Sequence, residues 1–281
     1  LDLPPLDPGL LRRKLAGILE IYEKFAGEDP CSEPMRVFPA VHYSMGGLWV
    51  DYEADAAGNL LVGSPRNQAT SIPGLYAVGE VDYQYHGANR LGGNSLLSCL
   101  YGGMLAGPAL TAYQQAMARS AFDLPGSLFE KARARASERF DEILSRAQAD
   151  PSTENPYLLH SELGELMLRD CTIERHDDRL RGLLGKLDEL DERASRIRIT
   201  DRLSYANQSA QFVRHLEHML CLARVVAEGA LARQECRGAH YKPAFDLQIP
   251  EGKYAGDPEY EAYRTRWKAA KELGLKTIPV H

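Results

Sequence analysis

The spacing of apolar residues predicts helices along most of the chain. In several segments the apolar residues recur every three or four positions, which is the period of an amphipathic helix. These segments are 10–25, 95–117, 128–148, 156–171, 176–197, 207–231 and 258–273. Those between residues 128 and 231 follow one another with little strand signal between them, and we therefore predict an antiparallel helical domain there.

Between residues 36 and 78 the pattern changes to short apolar runs separated by glycine, proline and polar residues. Short strands are predicted at 36–38, 47–51, 60–62 and 75–78. The predicted fold class is therefore α/β in the first part of the chain and all-α in the second, followed by a loop-rich tail after residue 236.

Composition narrows the class of protein. Of the 281 residues, 44% are hydrophobic and 26% are charged, as in folded globular proteins. The net charge of −6 offers no basic surface for nucleic acid, and no apolar run approaches the roughly 18 residues that a membrane-spanning helix needs. The five cysteines include no Cys-x-x-Cys pair, which argues against a metal or iron–sulfur site and predicts reduced core thiols in a cytosolic compartment.

The segment 86–97, His-Gly-Ala-Asn-Arg-Leu-Gly-Gly-Asn-Ser-Leu-Leu, carries the strongest chemical signal. Its glycines allow the backbone to approach a flat ligand closely, and Arg90 offers a planar pair of donors for a carboxylate. Asn94 and Ser95 are suited to cap a helix that begins at Leu96. The segment therefore predicts an anion site at a helix N-terminus.

The helix predicted after this segment contains glycines in its interior. Gly102, Gly103 and Gly107 would each destabilise it by about 1 kcal/mol relative to alanine. We therefore expect a neighbouring strand or helix to pack against their backbone. Pro108 predicts a kink or a break in the same helix.

Three sequence blocks in a fixed order carry a family resemblance. They are Ala-Val-His-Tyr-Ser-Met-Gly-Gly at 40–47, Ile-Pro-Gly-Leu-Tyr-Ala-Val-Gly-Glu at 72–80, and the segment 86–97. Together they closely resemble the flavoprotein subunit of succinate dehydrogenase and fumarate reductase. The segments 42–52 and 101–108 resemble the menaquinone-linked type, although the polar stretch at 53–70 is longer than the compact hairpin expected of that type.

The resemblance implies the overall organisation of the protein. Residues 1–35 would be the end of a capping region and a connecting helix. Residues 36–120 would be the C-terminal part of a Rossmann-like FAD-binding domain, 125–235 the helical domain, and 236–281 a C-terminal tail. FAD would be the cofactor, and electrons from succinate would pass to an iron–sulfur subunit and then to quinone in a membrane cytochrome b anchor. This implies a peripheral protein on the cytoplasmic side of the cell membrane.

The resemblance also implies which residues bind the substrate. Succinate and fumarate are dianions, so their site needs two separate positive or donor groups. His42 and Arg90 match the family positions that bind substrate carboxylate. A satisfied core histidine and a surface ion pair are the respective structural alternatives.

Other positions match family residues that contact the flavin. Glu80 would accept a hydrogen bond from a ribityl hydroxyl, with a plain loop carboxylate as the alternative. Ser95 and Leu96 would place backbone N–H groups and the positive helix end against the pyrimidine ring. His86 would approach the ring system or brace the loop, and Asn94 is a weaker candidate for contact with the cofactor.

Several expected elements have no counterpart in the chain. No Gly-x-Gly-x-x-Gly is present for the FAD pyrophosphate. The histidine that binds flavin covalently and the arginine that delivers the proton in this family are also missing. Because the sequence starts at Leu1 in what reads as a mid-protein loop, we expect a truncated piece that lacks the N-terminal half and does not turn over alone.

Two rival functions remain at this stage. One is a soluble flavoenzyme like L-aspartate oxidase, which shares the His-Gly-Ala-Asn-Arg pattern but usually lacks the Leu-Gly-Gly that follows it here. The other is a non-catalytic docking fragment in which the flavin motifs are remnants.

Two further motifs are assigned structural roles. His215 and His218 share one helix face, but without a third ligand they indicate a solvated surface rather than a metal site. The segment 237–240, Arg-Gly-Ala-His, resembles a family segment at the end of the helical domain and is interpreted as a structural turn, with contact to the cofactor or a partner subunit as the alternative.

Overall fold

The computed structural model describes residues 3, 5–37, 42–83, 85–145 and 153–277, with side chains described as far as residue 269. The chain divides into two compact units, Leu1–His42 and Tyr43–His281. Each unit has its own apolar core.

The first unit is built on helix α1, Pro8–Ala26. The carboxylate of Asp7 caps its start by accepting the N–H groups of Gly9 and Leu10, and Gly27 ends it in the left-handed conformation at φ 72°. This confirms the helix predicted at 10–25. The core of the unit consists of buried leucines on and before the helix, with Leu15, Cys31 and Met35 packed against Leu3, Leu11 and Leu19.

The second unit begins with turns joined by isolated β-bridges. Leu48 pairs with Asp82 in parallel, whereas Ala54 pairs with Leu60 and Ala69 with Tyr76 in antiparallel fashion. The strands predicted at 47–51, 60–62 and 75–78 are therefore wrong as ladders, because each contributes one bridging residue. The described part of the predicted strand at 36–38 is irregular, and Phe38 lies outside the described residues.

Backbone conformation explains why no ladder extends. Gly46, Gly63 and Gly79 have positive φ angles and turn the chain directly before or after the apolar runs, and Gln68, at φ 65°, turns it directly before the bridging residue Ala69. In the described residues the α/β part of the predicted fold class is thus bridged coil rather than a sheet.

Helix α2 spans Asn94–Ala116 and runs through Pro108, so of the predicted kink or break, the break does not occur. By length and composition alone, the segment Asn94–Asp123 is apolar enough to cross a membrane, since an 18-residue window within it has a mean hydropathy of 1.2. The expectation that no run approaches that length is wrong by this measure, because small and uncharged residues extend the leucine-rich stretch.

Four helices form the helical part of the second unit. They are α3, Gly126–Ser145; α4, Pro156–Met167; α5, Asp177–Ala194; and α6, Gln208–Ala232. A π-helical turn, Leu168–Thr172, follows α4 directly. These bounds confirm the helical segments predicted between 128 and 231, and their antiparallel arrangement stays a prediction.

One apolar core joins these helices. Its centre consists of leucines that are at most 1% exposed: Leu159, Leu180, Leu183, Leu187, Leu190 and Leu216. Side-chain amides begin two of the helices, since Asn155 caps α4 and Asn207 caps α6. Of the five free cysteines only Cys171 is buried, so the prediction of core thiols is wrong for the exposed Cys99 and Cys221.

After α6 the chain is mostly irregular. Arg237 and His240 form an antiparallel bridge, a short 3₁₀ turn covers Pro243–Phe245, and helix α7 spans Pro258–Thr277. The loop-rich tail and its final helix match the sequence prediction.

Candidate functional site

The glycine-rich segment leads into the N-terminus of α2. Gly93 occupies the N-cap position in the left-handed conformation at φ 81°, and no side chain caps the helix. The helix begins at Asn94, so the predicted capping of a helix starting at Leu96 is wrong. An uncapped N-terminus leaves backbone N–H groups and the positive end of the helix dipole available to an anion.

Arg90 lies half-buried beside this N-terminus. Its guanidinium carbon is 5.0 Å from the centroid of the Tyr43 ring, and its Nη1 donates to the carbonyl of Leu91 at 3.4 Å. Its Nε is buried and has no hydrogen-bond partner. A buried donor without a partner is destabilising by roughly 1–3 kcal/mol, and a carboxylate ligand would satisfy it. These contacts differ from those of the surface ion pair considered as the alternative.

A cluster of His86, Tyr43 and Ser98 holds the loop that carries Arg90. The Nε2 of His86 lies 3.3 Å from the Tyr43 hydroxyl and 3.1 Å from Ser98 Oγ, and the two rings meet edge to face at 5.1 Å. Ser98 is 5% exposed and donates to the carbonyl of Ser95 at 2.8 Å. His86 is therefore engaged with the protein in the manner of a loop brace.

Sequence reasoning missed Tyr43 and Ser98. A signal existed for each of them. Tyr43 is the neighbour of the predicted substrate ligand His42, and Ser98 is a polar residue within an otherwise apolar helical run.

Glu80 connects two of the sequence blocks. It lies in a 3₁₀ turn, Gly79–Val81, and its exposed carboxylate accepts the N–H of Ser44 at 2.9 Å. Close backbone packing reinforces this connection, because a Cβ on Gly47 would lie 2.4 Å from the carbonyl oxygen of Val81. The structure thus joins the Tyr43 end of the first block to the Glu80 turn.

The third block contacts the same turn through α2. A Cβ on Gly79 would lie 2.7 Å from Cys99 Sγ. Gly102 also packs closely, with Gln68 Nε2 at 3.0 Å and Val78 Cβ at 3.2 Å from an added Cβ. The expectation of close packing is confirmed at Gly102.

The same expectation is wrong at Gly103 and Gly107, where an added Cβ meets nothing within 4 Å. The same helix carries exposed apolar side chains, which include Leu96 at 74%, Leu100 at 68% and Met104 at 74%.

A cavity of about 360 Å³ lies between tyrosine side chains and Gln68. The Tyr85 hydroxyl accepts a hydrogen bond from Gln68 Nε2 at 2.7 Å. Burial, together with the charge of Asp82 and the neighbouring Tyr101, raises the pKa of Tyr85 to about 12. Tyr85 therefore remains a neutral lining residue at ordinary pH.

The remaining predicted residues lie at or near the start of α2, with one exception. Ser95 is half-buried and Leu96 is exposed in its first turn, and the Asn94 N–H donates to the carbonyl of Leu91 at 3.2 Å. The exception is His42, an exposed residue at the end of the first unit. Its role in substrate binding stays a prediction.

The loop leaves open space for a flat ligand. Gly87 and Gly93 have positive φ angles, and an added Cβ at Gly87, Gly92 or Gly93 would meet nothing within 4 Å of the described residues. Together with the uncapped helix and the partnerless Arg90 Nε, this geometry fits a flat group such as the flavin ring and an anion beside it.

The histidine pair on α6 forms no comparable site. His215 and His218 are both exposed, and the intervening Glu217 is ion-paired with Arg139 of α3. In the described part of the chain, no group of three or more potential metal ligands is found.

These features fit a site for a flat ligand and a carboxylate at a helix N-terminus, and comparison with known proteins shows what the chain is similar to. The FAD binding domain model matches residues 1–96, and the fumarate reductase flavoprotein C-terminal model matches residues 160–280. Both matches make the chain similar to the flavoprotein subunits of succinate dehydrogenase and fumarate reductase.

Curated relatives show the same similarity. The succinate dehydrogenase flavoprotein subunit of Bacillus subtilis is 49% identical over 245 residues, which cover 87% of this chain and 39% of the relative. The fumarate reductase flavoprotein subunit of Escherichia coli is 35% identical over 86% of this chain and 37% of its own length. The chain thus spans about two fifths of the length of these curated relatives.

Solved structures agree with the sequence comparison. A quinol–fumarate reductase with menaquinol molecules superposes with a TM-score of 0.69 at 33% identity, over 90% of this chain and 39% of that one. Sdh1 of Mycobacterium smegmatis gives a TM-score of 0.68 at 28% identity, over 87% and 37% respectively.

Proposed function

We propose that this chain forms part of a FAD-dependent oxidoreductase that interconverts succinate and fumarate. The observation that carries the proposal is the buried, partnerless Nε of Arg90 beside the uncapped start of α2. A carboxylate placed there gains a charge-assisted hydrogen bond and the field of the helix end.

Arg90 binds one substrate carboxylate in this proposal. The cation over the Tyr43 ring is held in place by an aromatic face, which leaves the guanidinium edge for the substrate. The role of His42 as the second carboxylate-binding residue rests on the family resemblance of its sequence block. Two fixed carboxylates orient the central C2–C3 bond of the substrate, which is the main contribution that binding groups make to such a transfer.

When bound, FAD would supply the two-electron acceptor for a hydride from succinate, and the neighbouring carbon would lose a proton as fumarate forms. Among the residues of this chain we assign no proton donor. The family resemblance implies an arginine outside these residues for that step.

Other residues hold the cofactor in this proposal. The Glu80 carboxylate is fixed by the Ser44 N–H and accepts a hydrogen bond from a ribityl hydroxyl through its remaining lone pairs. Ser95 and Leu96 present the free N–H groups of the first turn of α2 to the pyrimidine edge. His86 and Asn94 support the same edge, His86 through its contacts with Tyr43 and Ser98.

The proposed partners rest on the family resemblance of the sequence. One solved relative is a quinol–fumarate reductase that contains menaquinol molecules. We propose that electrons leave through an iron–sulfur subunit to quinone in a cytochrome b anchor, and that the protein is peripheral on the cytoplasmic side of the membrane. We also propose that a further, N-terminal half of the flavoprotein completes the FAD site. Residues 36–120 would form the C-terminal part of its Rossmann-like FAD-binding domain, and residues 125–235 the helical domain.

A flavin spectrum tests this function. The polypeptide that carries this chain is purified, its mass is measured, and its absorbance is recorded before and after denaturation. We expect bound flavin that succinate bleaches and aspartate does not. Bleaching by aspartate would favour the oxidase alternative, and a protein without flavin would favour the docking fragment.

A further inference from the structure

The hairpin turn Arg237–His240 packs directly on the loop that carries Arg90. The Ala239 N–H donates to the carbonyl of Ala88 at 2.9 Å. At Gly238 an added Cβ would lie 2.3 Å from the same carbonyl oxygen and 2.8 Å from Ala88 Cβ. Two residues of this turn therefore contact the backbone two positions before the substrate-binding arginine.

The turn itself has a defined shape. Arg237 and His240 exchange both backbone hydrogen bonds, at 3.0 and 3.1 Å, and Gly238 has a φ of 60° at the first central position. A positive φ at that position is what a tight hairpin of type II′ requires, and it favours glycine. Glycine is thus needed at 238 both for the turn and for the close approach to Ala88.

The base of the turn is anchored in the helical core. His240 is 2% exposed, and its Nε2 donates to the carbonyl of Arg233 at 3.1 Å, just after the end of α6. With that proton on Nε2, its Nδ1 accepts from Arg175 Nη1 at 2.6 Å. Arg175 is fixed in turn by donating from Nε to the carbonyl of Cys171 at 2.8 Å. The imidazole therefore ties the turn to two elements of the helical core.

Ion pairs fix the chain just before the turn. Glu235 is 3% exposed and lies between two arginines, pairing with Arg237 at 3.2 Å and with Arg233. A buried carboxylate held from both sides restricts the path of the chain into the hairpin.

We propose that the turn Arg237–His240 positions the substrate-binding arginine, with Gly238 and His240 setting the location of Arg90 through the backbone of Ala88. The inference rests on the proposed function of Arg90 as a carboxylate ligand. Gly238 and His240 are positioning residues, because they act on the ligand only through the loop.

Gly238→Ala tests the contact most directly. To relieve the 2.3 Å approach, the Ala88 carbonyl would have to move by about 1 Å, and displacements of that size in a substrate-positioning group cost about 100-fold. Gly229→Ala is the matched control, since Gly229 lies in α6 and an added Cβ there meets nothing within 4 Å.

The experiment uses the flavin-loaded holoenzyme that carries this chain. The dissociation constant of malonate, a dicarboxylate without a bond to oxidise, is measured from the change in flavin absorbance. We expect an increase of about 10- to 100-fold for Gly238→Ala and none for Gly229→Ala, with an increased KM for succinate. A purely structural role would lower the yield of folded protein but leave the dissociation constant of the folded fraction unchanged.

A second pair of variants covers the case in which Gly238→Ala does not fold. His240→Gln keeps a donor and an acceptor and should retain malonate affinity, whereas His240→Ala should weaken it. Equal affinities in these two variants, or in Gly238→Ala and Gly229→Ala, would overturn the positioning role. Arg90→Gln separates the two proposals, because unchanged malonate binding in that variant overturns the proposed function of Arg90 itself.

Discussion

Replacement of Lys242 by methionine should destabilise the protein more than any surface lysine change. The Lys242 side chain is 1% exposed, and its Nζ lies 2.6 Å from Asp177 Oδ1 at the start of α5. It also donates to the carbonyls of Ala230, Leu231 and Arg233 at 3.1–3.3 Å. A buried ammonium thus satisfies carbonyls that the end of α6 leaves without helical partners.

The magnitude follows from these contacts. Methionine keeps the apolar stem and removes the ammonium, so the carbonyls of Ala230 and Leu231 lose their donor at roughly 1 kcal/mol apiece, whereas that of Arg233 keeps the Nε2 of His240. Asp177 is 35% exposed, but its Oδ1, which faces the ammonium, is buried, so loss of the ion pair adds about 1–2 kcal/mol. We expect Lys242→Met to lower the free energy of unfolding by about 3–4 kcal/mol.

Urea unfolding followed by far-ultraviolet circular dichroism provides the measurement. Lys186→Met is the matched control, because Lys186 is 52% exposed and pairs with Glu189 on the surface of α5. That control should change the free energy of unfolding by less than about 0.5 kcal/mol. Equal losses in the two variants would refute the argument that the ammonium serves as a buried cap of α6.

Three further predictions concern packing and pH. Leu183→Ala removes a side chain of zero exposure and should cost about 3–5 kcal/mol in urea unfolding, whereas Leu158→Ala at 67% exposure should cost well under 1 kcal/mol; similar costs would contradict the assigned core. Gly103→Ala should raise the melting temperature through helix propensity, and Gly102→Ala should not, because its Cβ would press on a buried glutamine; the opposite order in thermal unfolding would count against this packing. Burial, with the charges of two neighbouring arginines, lowers the pKa of His240 from 6.5 to about 4. As pH falls, the unfolded state therefore binds the proton first. The stability that neutral His240 contributes is complete above about pH 6.5 and is lost as pH falls towards 4. Between pH 7.5 and 5 the loss should be about 2 kcal/mol and should shrink in His240→Gln, and an unchanged pH dependence in that variant would refute it.

Helices could be predicted from the sequence because their signal is local. The segment predicted at 207–231 is the helix Gln208–Ala232, since its apolar residues repeat with the helical period and Asn207 caps it. Strands could not, because an apolar run such as 75–78 does not specify its partner, and Gly79 turns the chain away after a single bridge at Tyr76.

The candidate site could likewise be predicted only where its signal is local. Arg90 and the start of α2 lie in one continuous segment with unusual glycine content. The capping prediction failed because Gly93 takes the N-cap position in a left-handed conformation, which propensity at Asn94 does not reveal.

Contacts between distant parts of the chain were the hardest to foresee. The packing of Gly238 on Ala88 joins residues that are far apart in sequence, and no local pattern indicates it. The sequence suggested a structural turn at 237–240, and the structure adds the loop on which that turn packs.

The most direct test of the central claim is the rate of succinate oxidation by the flavin-loaded holoenzyme, with Arg90→Gln compared with the exposed control Arg133→Gln. We predict that Arg90→Gln retains flavin and loses about 100-fold or more in kcat/KM for succinate, whereas Arg133→Gln keeps the original value. An Arg90→Gln enzyme as active as the control, or a flavin-loaded enzyme that converts neither succinate nor fumarate, would contradict the account.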